Sequence, residues 1–162
     1  MTNATKIWVC ADHHAAFLCG GWAYVRMIDG QVSGAAGGER ATTAHRMAAA
    51  VLAAALADLP ATKAGAAPGP ITLYTSSAEV AGLAALAPGE APGMDRDLWD
   101  LAVKALAGRK LNLVQLAAAP KTPLAFTAAW AEEARDKAKS RGGFKAVIPK
   151  PNLAKIGGMP AA

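Results

Sequence analysis

From Lys137 to Ala162 the chain has no aspartate and no glutamate, yet it carries six cations there: Lys137, Lys139, Arg141, Lys145, Lys150 and Lys155. All 12 acids lie in residues 1–136, against 11 Lys and Arg, so the net charge of +5 belongs to the acid-free end. Such a block reads as a solvated, flexible tail that meets an acidic partner, most often nucleic acid, or whose charge merely aids solubility. Cysteine is nearly absent too. Cys10 and Cys19 are too few for a disulfide framework and form no CxxC pair, which excludes a disulfide scaffold and argues against structural zinc. Both thiols are expected to be buried. No apolar run approaches the ~18 residues of a membrane span. The opening MTNATK, followed by a strand-like segment, lacks the pattern of a signal peptide, so a cytoplasmic location is expected.

What is present suits one domain of 162 residues. The hydrophobic fraction of 53% is dominated by alanine, so the core must lean on Leu, Val, Ile and four Trp. Lys6 to Ala11 (KIWVCA) reads as a buried strand, and Gly21–Ile28 with Gln31–Gly37 reads as a hairpin turned by Asp29-Gly30. Thr42 or Thr43 caps a helix running to about Leu59. A loop over Ala61–Pro70 precedes the strand Ile71–Thr75, and Ser76 with Glu79 forms a capping box for a helix to Leu86. A flexible connection over Ala87–Gly93 leads to a helix at Asp97–Ala107, whose apolar stripe is Leu98, Leu101, Ala102 and Ala105. Leu111–Leu116 alternates as a strand, and a final helix spans Leu124–Ser140. The class is α/β: a domain over residues 1–140, then a basic, flexible tail over 141–162.

Six pieces at fitting intervals make residues 5–140 resemble the ribonuclease H family. They are Gly20-Gly21-Trp22-Ala23-Tyr24-Val25 entering the second strand, the Asp29-Gly30 hairpin, and Thr42-Thr43-Ala44-His45-Arg46-Met47 opening the first helix. Further on come Thr75-Ser76-Ser77, then Asp97-Leu98-Trp99 with Glu132-Glu133-Ala134-Arg135. The resemblance implies a ribonuclease H-like fold: a five-stranded mixed sheet, antiparallel hairpin strands followed by parallel strands, flanked by helices.

Members of that family cleave the RNA strand of an RNA/DNA hybrid with two Mg²⁺ ions, held by acids on the first strand, first helix, fourth strand and last helix. Carboxylates are required because Mg²⁺ is a hard cation and a close metal pair must be neutralised. Here the resemblance places Ala48 on the first helix, Ser76 on the fourth strand and Ala131 on the last helix. The first-strand position falls on Cys10, or on Asp12 if the loop is two residues shorter. The loop after the fifth strand, Ala117–Thr122, lacks the family's histidine. The implied protein is a pseudoenzyme, with no metal and no cofactor, that binds DNA, RNA or hybrid without cleaving it. Contacts are expected from Thr43, His45 and Arg46 at a helix N-terminus, which favours phosphate, and from the six tail cations.

Other readings remain open at this point. Ser76 can be a simple helix cap, and Arg46 can pair with Glu39 and be purely structural. The run Cys10-Ala11-Asp12-His13-His14 holds ligand types for zinc, but neighbours on an extended segment point to opposite sides. Trp8, Trp99 and Trp130 are expected in the core, while Trp22 can face the site. The alternative function is a protein-interaction or homodimerisation module on the same scaffold. A residual hydrolase using Asp12, Glu132 and the histidines ranks last.

Overall fold

A computed structural model describes residues 5–57, 59, 69–86 and 91–160. The strands are β1 (Thr5–His14), β2 (Cys19–Ile28), β3 (Gln31–Glu39), β4 (Ile71–Thr75), β5 (Leu111–Gln115) and β6 (Phe144–Val147). The helices are α1 (Ala44–Leu56), α2 (Ala78–Ala84), α3 (Arg96–Leu106), α4 (Pro123–Arg141) and the single turn α5 (Lys150–Leu153). The sheet order is β5-β4-β1-β2-β3-β6. β1, β2, β3 and β6 run antiparallel in sequence, while β1, β4 and β5 are parallel. The two-residue turn between β2 and β3 works because Asp29 (φ 51) and Gly30 (φ 78) both take the left-handed region that a twist-matched hairpin demands.

Alternation along β1 sends side chains to two cores. Ile7 and Val9 pack with Val51, Leu52, Leu73 and Trp99 under α1, α2 and α3. Trp8 and Cys10 pack with Val25, Met27, Leu124, Ala131 and Ala134 under α4. The α4 backbone comes unusually close to the sheet at two glycines. A Cβ on Gly21 would collide with the Ala131 carbonyl and the Arg135 amide, and one on Gly38 would meet the Ala134 carbonyl at 2.8 Å. Alanines on α4 complete this contact by keeping its sheet-facing side flat.

Several expectations are corrected. The sheet has six strands rather than five, because Phe144–Val147 pairs antiparallel with Ala35–Gly38 of β3. The basic segment from Arg141, expected to be a flexible tail, is therefore a packed strap. Ile148 is 1% exposed and Leu153 8%, both in the core under α4, with Ile156 and Met159 packed against it. α1 ends at Leu56 rather than about Leu59, since the Arg26 guanidinium donates to the carbonyls of Ala55 (3.1 Å) and Ala57 (2.6 Å) and closes the helix there. β1 continues three residues past Ala11, paired with β2 as far as His14 opposite Cys19. α3 buries Trp99, Ala102 and Leu106, while Leu101 is 57% exposed. Most of the expected Ala61–Pro70 loop, and residues 87–90 of the connection before α3, lie outside the described residues. Among the described residues no helix is long and apolar enough to cross a membrane.

A packed strap and a free tail differ in what they contribute to stability. Ile148→Ala, which empties a fully buried site, is expected to cost about 2–4 kcal/mol in urea unfolding. A free tail would give no change.

Candidate functional site

The ends of β1 and β4 lie side by side in parallel register, Val9 opposite Thr75. That register brings Cys10 to Ser76, with Sγ 3.7 Å from Oγ, while the thiol also lies 3.8 Å from the Leu124 carbonyl at the start of α4. The structure thus selects Cys10, not Asp12, as the first-strand side chain that faces the end of β4. Burial pushes the Cys10 thiol up to about 11, the hydrogen bond from Ser76 opposing it. It is a protonated, unreactive group at neutral pH.

Asp12, two residues on, turns to α4 instead. Its Oδ2 accepts from Arg135 Nη1 at 2.7 Å and its Oδ1 from the His13 amide at 3.0 Å. Arg135 also reaches Asp136 at 3.0 Å and Glu132 at 3.9 Å. Of the remaining positions, Ala48 is fully buried in the core under α1, and Ala131 is buried where α4 crosses Gly21. A Mg²⁺ pair needs several anionic oxygens. A protonated thiol, a hydroxyl and two methyl groups do not fit that requirement. Among the described residues no three His, Cys, Asp or Glu side chains are placed to hold a metal ion. His13 Nε2 is bonded to the Thr42 carbonyl at 2.9 Å, and His14 packs its ring on Phe17.

Ser76 is not the helix cap. Ser77 is, its Oγ accepting from the Val80 amide at 3.3 Å, while Thr75 Oγ accepts from the Ser77 amide at 3.1 Å. The capping pattern was placed one residue early, which frees Ser76 to contact Cys10.

At the start of α1, Thr43 caps the helix through the Arg46 amide at 3.0 Å. Arg46 is enclosed by three acids: Asp95 at 3.1 Å, Asp97 at 3.4 Å and Glu39 at 3.4 Å. His45 Nδ1 lies 2.9 Å from Asp95. Hydrogen bonds that Arg46 donates to Asp95, then Asp97, push its pKa above the ordinary value, and Arg46 in turn holds the Asp97 carboxyl below its own. Asp95 sits in the left-handed region (φ 54) at the start of α3 without capping it, because its carboxylate is spent on α1. Arg46 and His45 therefore tie α1 to α3. The sequence offered Glu39 as a partner but not Asp95 or Asp97, which meet Arg46 only through the packing of α3 on α1.

The six expected cations do not form one track. Lys137 pairs with Glu133 at 3.5 Å, and Lys139 sits 3.4 Å above the ring of Phe17. Arg40, which the sequence did not single out, donates to the carbonyls of Ala138 and Lys139 at 2.8–3.1 Å and caps α4. Arg141 and Lys145 are exposed, with no ion pair to a described residue. Arg40, Lys139, Arg141 and Lys145 thus gather where α4 ends, beside the β1–β2 tip that exposes Phe17 and Leu18 at 55% each. Lys150 borders a cleft with Gln31 and Asp29 at the opposite end of β3, about 26 Å away by strand rise. Lys155 follows α5 on the strap.

No family model matches the chain, and no curated protein matches it in sequence. Its structure is similar to that of the N-terminal RNase H domain of Rv2228c from Mycobacterium tuberculosis, solved as a fusion with maltose-binding protein. The TM-score is 0.63 at 18% identity, over 86% of this chain and 98% of the other. The fold is ribonuclease H-like.

The buried thiol makes stability depend on pH in one direction. With a folded value of about 11 against 9.0, Cys10 contributes stability that is full below pH 9 and lost as pH rises towards 11. Cys10→Ala is expected to remove a fall of up to ~3 kcal/mol from the alkaline limb of the stability profile, measured by urea unfolding at stepped pH.

Proposed function

We propose that this protein binds nucleic acid and does not cleave it. The observation that carries the reading is the gathering of Arg40, Lys139, Arg141 and Lys145 around an exposed aromatic tip. Phosphates supply the sequence-independent part of such binding, and an aromatic ring at the tip of a hairpin offers a face on which an unpaired base stacks. The donor set supports the absence of hydrolysis. Cys10 and Ser76 face each other without a carboxylate between them, and Asp12 is neutralised by Arg135.

In this reading the start of α1 supports the surface without making the contact. Thr43 is occupied as a cap, and the charge of Arg46 is cancelled by Glu39, Asp95 and Asp97. A phosphate approaching Arg46 would meet three anions first. Lys150 and Lys155 stand too far along the strap to share one backbone contact with Arg141.

Fluorescence anisotropy against single-stranded, duplex and hybrid probes tests the proposal. The double variant Lys139→Glu with Arg141→Glu is expected to weaken binding at least tenfold and to lower the salt slope by about 2. Arg46→Ala should change affinity little while lowering stability. No binding at low salt would sink the proposal, and Mg²⁺-dependent cleavage of a hybrid by the purified chain would sink its second half.

A further inference from the structure

α3 has two apolar sides, and the fold uses one. Trp99, Ala102 and Leu106 enter the core, while Leu98 and Leu101 border an open groove of about 430 Å³. Its far wall is the α1 alanine ridge, Ala50, Ala53, Ala54 and Ala57, and it ends at Phe144 and Lys145 of β6. α1 packs on β1 and β2, and α2 on β4 and β5, so β3 and β6 are left without a helix on this side. Leu101 at 57% is exposed at the groove, and Val147 at 78% lies on β6.

The charges around Leu101 define what covers it. Asp97, Leu101 and Lys104 follow an i, i+4, i+7 spacing and share one helix face, with the acid on the N-terminal side of the leucine and the base on the C-terminal side. A second α3 laid antiparallel across a two-fold axis at Leu101 puts the two leucines in contact and each Asp97 opposite the other copy's Lys104. A parallel arrangement would set like charges together. Lys104 has no partner among the described residues, and Asp97 is 64% exposed, its contact with Arg46 being a long one at 3.4 Å. The face is thus complementary to itself, which is the requirement of an isologous interface. The alanine ridge adds room, since methyl groups let the second copy's Leu101 side chain approach the α1 backbone.

We propose that the protein forms a two-fold homodimer through α3, with Leu101 of each copy covering the alanine-lined groove of the other. The groove meets the basic cluster only at Lys145, and the variants that test one proposal alter no residue that carries the other.

Sedimentation equilibrium of the full chain tests it. The wild-type chain is expected to dimerise with a micromolar Kd. Leu101→Asp should weaken the dimer at least ~tenfold without lowering the melting temperature, because the side chain is exposed. Lys104→Asp alone should also weaken it, and adding Asp97→Lys to Lys104→Asp should restore it by exchanging the two signs. A wild-type chain that is monomeric at high micromolar concentration assigns the groove to some other protein and overturns the proposal. A dimer indifferent to Leu101→Asp overturns it equally.

Discussion

The contact on which the rest of the molecule depends is the seating of α4 directly on the backbone of β2 and β3. Gly21 and Gly38 leave no side chain between helix and sheet, and Ala131, Ala134 and Ala138 answer with methyl groups. Any larger residue at Gly21 would have to lift a 19-residue helix. Because α4 lies this low, its first turn reaches Cys10, its fourth reaches Asp12 through Arg135, and its last is closed by Arg40. The same closeness explains why the position above Gly21 holds alanine. A carboxylate there would be trapped against the Ala131 and Arg135 backbone with no water to solvate it.

Two layers of unlike character result. On the α1 side, branched residues and Trp99 fill a broad core shared by three helices. On the α4 side a flat, small-residue contact is bordered by Trp8 stacked on Tyr74 and is finished by the strap. The cations of the strap face outward because Ile148, Leu153 and Ile156 face inward, so its positive charge and its structural role come from alternate sides of one segment.

Local signals explain how much of this the sequence revealed. Asp29-Gly30, the β2–β3 hairpin it turns and the Thr43 cap each act within a few residues, and each is where it was expected. What was missed depends on distant partners. The tail was read from its charge, and nothing local in Phe144–Val147 announces that β3 has an open edge waiting for it. Likewise Arg46 could be read as a phosphate contact or as a partner of Glu39, but not as the tie to α3, because Asp95 and Asp97 are some fifty residues away in the chain. The Ser76 and Ser77 ambiguity is of another kind: both residues can cap, and only the exact end of β4 decides between them. The pairing of Cys10 with Ser76 was within reach of the sequence, since the ungapped match already named both.

The strap also sets an order of events during synthesis. β1 to β5 and α1 to α4 can condense as soon as they leave the ribosome, but the core under α4 lacks Ile148 and Leu153, and β3 lacks its outer partner, until residues 144–160 have emerged. During that interval the nascent chain presents an unfinished apolar core and an unpaired β3 edge together, the pair of features that a holdase chaperone grips best and that a stalled or truncated polypeptide would display permanently.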